Sequence, residues 1–68
     1  MDEMTKVAVD AMGGDNAPAE IVKGAIEAVN QNSKIKVYLV GKQNVINDVL
    51  SQHTYNKERI EVVNAEEV

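Results

Sequence analysis

The chain has 68 residues, with seven Lys and Arg against eleven Asp and Glu, a net charge of −4. That balance, with no basic run, excludes an electrostatic footprint for nucleic acid, and the absence of cysteine excludes disulfides and thiolate metal sites. No apolar run approaches the ~20 residues that span a bilayer.

A domain of this length buries only about 60% of the surface that its unfolded chain exposes. Its core-building material is aliphatic, without Phe or Trp. Ordering a chain costs roughly 1.5 kcal/mol per residue, which small aliphatic side chains offset poorly. The composition therefore reads as part of a larger domain. Met1-Asp2-Glu3-Met4 is acidic and lacks the blocks of a signal peptide, so the expected compartment is the cytoplasm.

In chain order, Lys6-Val7-Ala8-Val9-Asp10 is short, β-branched and apolar on both faces, the pattern of a buried parallel strand. Met12-Gly13-Gly14-Asp15-Asn16 follows as a cluster of turn formers. A helix is predicted over 17–31, with Pro18 suited to its first turn and Glu20 favourable to its dipole. Ile21, Val22, Ala25, Ile26 and Val29 recur at three- and four-residue spacing as one apolar stripe. Gly24 costs about 1 kcal/mol there relative to Ala, which suggests close packing against a sheet.

A second strand is predicted over 35–40, ended by Gly41. A second helix is predicted over 44–53, with Val45, Ile46, Val49 and Leu50 inward. After a loop at His53-Thr54-Tyr55-Asn56, residues 59–63 read as a third strand. This βαβαβ order implies parallel strands joined by right-handed crossovers. Two helices cover both faces of a three-stranded sheet poorly. The chain stops just past a strand, and residues 1–68 are expected to be the N-terminal portion of a single larger α/β catalytic domain.

In open α/β sheets ligands bind at the carboxyl ends of the strands. The turn from Asp10 to Pro18 occupies that position. Gly13 and Gly14 let the backbone approach a ligand, the following helix offers N–H groups to an anion, and Asp10 and Asp15 bring two carboxylates to the rim. The candidate phosphate- or substrate-binding residues are Asp10, Gly13, Gly14, Asp15 and Asn16. The purely structural alternative stays open: the glycines make a tight turn, and Asp15 or Asn16 caps the helix. The turn is neither a P-loop nor a dinucleotide fingerprint. No metal or cofactor is expected. Lys6, Lys34, Lys36 and Lys42 read as solvated charge, Tyr38 and Tyr55 as packing residues, and His53 as the end of the second helix. The lesser reading of Lys42, on the same rim after Gly41, is that it reaches an anion.

The run Ala8-Val9-Asp10-Ala11-Met12-Gly13-Gly14-Asp15, with Ala17-Pro18 after it, resembles the N-terminus of the PlsX phosphate acyltransferases of bacterial fatty acid and phospholipid synthesis. Glu20-Ile21-Val22, Gly24, Leu39-Val40-Gly41, Arg59-Ile60 and Ala65-Glu66-Glu67-Val68 extend the likeness more loosely over nearly the whole chain. The resemblance implies a Rossmann-like α/β/α fold related to the isocitrate and isopropylmalate dehydrogenases. It also implies transfer of an acyl chain from acyl-acyl carrier protein to inorganic phosphate, giving acyl phosphate. It further implies a homodimer with peripheral membrane association. Catalytic groups are not identifiable among these residues, and the chain alone is expected to be inactive. A small α/β binding or interaction module, with a structural glycine turn, is the alternative.

Overall fold

The computed structural model describes residues 4–12 and 18–65. Strand β1 (Thr5–Asp10) leads to helix α1 (Pro18–Gln31), then β2 (Ile35–Gly41), α2 (Gln43–Leu50) and β3 (Ile60–Asn64). The three strands form one parallel sheet in the order β1-β2-β3. The expected βαβαβ order is therefore the observed one, with each element boundary within three residues of its predicted place.

The sheet pleat sorts the side chains into rows, because alternate residues point to opposite faces. The rows Val7–Val37–Ile60 and Val9–Leu39–Val62 lie on one face, set by the parallel registers. Both helices pack on that face. Val22, Ala25, Ile26 and Val29 of α1 join Ile46 and Leu50 of α2, Val37 and Leu39 of β2, and Ile60 of β3 in one buried cluster. Leu39, Ile46, Val22 and Val29 are its largest fully buried side chains. With all the apolar stripes spent on one side, the opposite face carries the rows Ala8–Tyr38–Glu61 and Asp10–Val40–Val63 with no element over them among the described residues.

Four expectations change. The β1 pattern predicted burial on both faces, yet β1 is the sheet edge and all but Val9 of its residues are exposed. Gly24 has nothing within 4 Å of where a Cβ would stand and is exposed, so it marks no close packing. Val45 is 37% exposed, because α2 turns only Ile46 and Leu50 fully inward and Val49 partly. Lys36 is not simply solvated. Its Nζ lies 3.4 Å from Glu61 Oε2 across the β2–β3 pair and 5.2 Å from the centre of the Tyr38 ring. Burial pulls the Lys36 ammonium down, but the Glu61 hydrogen bond and the attraction of Tyr38 and Glu61 outweigh it and hold the group above its ordinary 10.5.

At the amino ends of the strands, Arg59 ties the fold together. Its Nε and Nη2 donate to the Ile35 carbonyl at 3.1 and 2.9 Å, and Nη2 also donates to the Asn32 carbonyl. Asn32 Oδ1 accepts from the Lys34 amide at 2.9 Å and shapes the turn between α1 and β2. Among the described residues no helix is long and apolar enough to cross a membrane.

Candidate functional site

The carboxyl end of the sheet is built by three chain exits. β1 runs one residue beyond its last strand pair: the buried Ala11 donates its N–H to the Val40 carbonyl at 2.9 Å. Asp10 Oδ1 then accepts the Met12 N–H at 3.0 Å, an Asx turn that bends the chain out of the strand. β2 ends at Gly41, whose carbonyl accepts the Ala65 N–H at 2.8 Å. Lys42 follows as the residue before α2.

The start of α2 carries orphan N–H groups, as every helix start does. Lys42 supplies no side-chain cap. Instead Asn64, at the end of β3, accepts the Gln43 N–H on its Oδ1 at 3.2 Å. The cap thus comes from a residue 21 positions away in sequence. This was not legible from the helix sequence, where a capping side chain is sought just before the first turn.

Between these exits lies a cleft of about 820 Å³, lined by Ala8, Val9, Asp10, Met12, Val40, Gly41, Lys42 and Ala65. Its wall is mainly aliphatic, with one carboxylate (Asp10) and one ammonium (Lys42). An apolar concavity with a few convergent polar groups at the carboxyl ends of parallel strands is where such sheets bind small molecules.

The structure places Asp10 on this cleft and Lys42 on its rim. Gly13, Gly14, Asp15 and Asn16 lie outside the described residues. His53 stands away from the cleft, past the far end of α2, where its N–H donates to the Leu50 carbonyl at 3.0 Å. Tyr55 packs partly buried against the core. Sequence reasoning missed Met12 and Ala65 as wall residues. Met12 was visible only as one letter of the turn, and its contact with β2 depends on the β1–β2 register.

The model of the family described as fatty acid synthesis protein matches residues 5–68. The phosphate acyltransferase of Dictyoglomus thermophilum is 56% identical over 63 residues, which cover 93% of this chain and 18% of that protein. The phosphate acyltransferase of Fusobacterium nucleatum is 49% identical and that of Clostridium tetani 46%, each over 63 residues that cover 93% of this chain and 19% of the relative. The chain thus spans about a fifth of the length of these curated relatives. With the match running from the first residue of β1 through all five elements, the chain belongs to the fatty acid synthesis protein family, the PlsX-type phosphate acyltransferases that its glycine turn resembles.

Proposed function

We propose that this chain supplies one wall of the phosphate site of an acyl-acyl carrier protein:phosphate acyltransferase. The observation that carries the reading is the cleft at the carboxyl ends of β1 and β2, with Lys42 on its rim. A phosphate needs a cation, and Lys42 on the rim of the cleft supplies one. Asp10 is a poor direct partner for an anion. Its role is to hold the Met12 amide and so direct the turn that carries Gly13, Gly14, Asp15 and Asn16, the residues proposed to line the rest of the phosphate site.

In the proposed reaction a phosphate oxygen attacks the thioester carbonyl of acyl-acyl carrier protein. The new C–O bond forms, the C–S bond breaks, and the carrier thiol leaves with a proton. Charge builds on the carbonyl oxygen, and N–H donors already in place stabilise it. The bound phosphate is oriented by this cleft, while the groups that polarise the carbonyl belong to the remainder of the longer protein. In that protein the bare face of the sheet carries a second helical layer, the Rossmann-like α/β/α arrangement. Homodimer formation, a cytoplasmic setting and peripheral contact with the membrane complete the proposal.

The test is phosphate-dependent release of free carrier protein from acyl-acyl carrier protein by the full-length enzyme, with Lys42→Ala and Asp15→Ala beside the wild type. Lys42→Ala should raise the KM for phosphate about tenfold or more, as loss of one charged contact does, whereas Asp15→Ala, which removes an anion, should lower kcat/KM only if the glycine turn positions the phosphate. Turnover by the wild type with both variants unchanged would leave the activity standing and remove this cleft from it. No turnover by the wild type would overturn the reading.

A further inference from the structure

We propose that Asn64 is a positioning residue for Lys42: the exit of β3 clasps the residues on either side of Lys42, and Asn64 supplies the side-chain half of that clasp. Asn64 Oδ1 accepts the Gln43 N–H at 3.2 Å, and the Ala65 N–H donates to the Gly41 carbonyl at 2.8 Å. Lys42, the cation of the cleft wall, therefore stands between two anchors that come from one dipeptide. The pairing of Gly41 with Asn64 across β2 and β3 brings the two chain exits together.

The need for a clasp follows from the residue at the capping position. The Gln43 amide opens α2 and has no acceptor within the helix, as in the first turn of any helix. The position before it is ordinarily held by Ser, Thr, Asp or Asn, whose oxygen satisfies such an amide. Here it is held by Lys42, in extended backbone (φ −71°, ψ 113°), and an ammonium cannot accept a hydrogen bond. The capping duty passes to Asn64, 21 positions from Gln43, and the Lys42 side chain lines the cleft instead. Asn64 is also neutral. An Asp would cap equally well but would add an anion beside the cation that a phosphate needs. Asn64 touches no reacting atom in this account and acts through Lys42, so the inference rests on the phosphate reading above.

The experiment uses the full-length protein with Asn64→Ala, Lys42→Ala, their double variant and Gln43→Pro, alone and with Lys42→Ala. Proline suits the first position of a helix, gives up only the N–H that Asn64 accepts, and is tolerated by the extended Lys42 backbone. KM and kcat are measured for phosphate and for the acyl donor. Asn64→Ala should raise the KM for phosphate about fivefold, the factor that loss of one capping acceptor gives, with kcat and the acyl-donor KM within about twofold. Gln43→Pro should raise it by a similar factor. Added to Lys42→Ala, Asn64→Ala should raise it no further, because the group it positions is gone. A merely structural role would lower thermal stability without separating the two KM values, and its effect would multiply with that of Lys42→Ala.

Phosphate KM unchanged in Asn64→Ala but raised in Lys42→Ala would overturn the proposal and leave the phosphate reading standing. So would a double variant whose effect is the product of the two single ones. If Asn64→Ala does not fold, Gln43→Pro decides: a raised phosphate KM that vanishes in the Lys42→Ala background supports the clasp, and an unchanged one refutes it. Phosphate KM unchanged in Lys42→Ala, or a wild type without phosphate-dependent turnover, would sink the phosphate reading and the clasp with it.

Discussion

Replacing Arg59 with methionine should loosen the amino end of the sheet without disturbing its carboxyl end. The guanidinium donates twice to the Ile35 carbonyl, at 3.1 and 2.9 Å, and once to the Asn32 carbonyl. Net contributions of hydrogen bonds from charged donors run at about 1.5–3 kcal/mol. Two of these three share one acceptor and the third lies at the surface, so the set contributes about 2 kcal/mol rather than three full bonds. Methionine retains much of the apolar stem, which separates lost hydrogen bonding from lost packing. The assay is native-state hydrogen exchange of the full-length protein. The Thr5 amide, which donates to Lys34, and the Ile35 amide, which donates to Asn32, report on the tie. Both should exchange about 30-fold faster, the ratio that ~2 kcal/mol of local opening free energy gives. The Ala65 amide on Gly41, at the other end of the sheet, should not change. Arg59→Lys should recover less than half of the effect, since an ammonium cannot reproduce the planar fork. Unchanged exchange at Thr5 and Ile35 in Arg59→Met would refute the argument.

Leu39 is fully buried between the two helices and the sheet, so Leu39→Ala should cost about 2–5 kcal/mol in urea unfolding of the full-length protein, while Val45→Ala on the exposed side of α2 should cost well under 1 kcal/mol. Lys36 titrates above its ordinary 10.5 in the folded state, so its contribution to stability is complete below that pH and is lost as pH rises through the higher folded value. An alkaline unfolding series should therefore show a decline above pH 10.5 that Lys36→Met reduces; identical profiles would refute the Lys36–Glu61 pairing. Val63 lies on the bare face and is 41% exposed here. If the longer protein covers that face, Val63→Asp should cost about 3 kcal/mol or more by burying a carboxylate, and a cost near zero would refute the proposed second layer.

What was legible in the sequence was what local periodicity encodes. The stripe Val22, Ala25, Ile26 and Val29 is buried as its spacing required, and the three strands lie where β-branched runs met turn formers. Asp10 as the strand end and Lys42 as a rim residue followed from order alone, because the carboxyl ends of parallel strands share one side. The long-range pairings were not legible. Arg59 reaches 24 residues back to Ile35, and Asn64 reaches 21 back to Gln43. Neither partner is marked by any local pattern. The Val45 error has a different origin: four apolar residues on an eight-residue helix fix a direction, but the width of the buried arc depends on how closely β2 and β3 approach it.

The disagreement at β1 is the more informative one. Val7, Ala8 and Val9 are apolar on both faces of the strand, a pattern that edge strands facing water avoid because it invites pairing with another chain. In the structure Val7 and Ala8 are exposed, and among the described residues β1 pairs only with β2. The strand at the other edge differs: in β3 the apolar Ile60 and Val62 alternate with the exposed Glu61 on the bare face. Tyr38 and Val40 are only half-buried on that face, and no described helix lies over them. The apolar residues on the uncovered side are Ala8 of β1, Tyr38 and Val40 of β2 and Val63 of β3, and Ala8 and Val40 of these line the candidate cleft. In a doubly wound sheet the strand that begins the fold is central, and the ligand crevice lies where the chain switches from one side of it to the other. The proposed α/β/α protein would place β1 in that central position. Asp10, Met12 and Lys42 would then line one half of a crevice whose other half comes from the strand added beside β1.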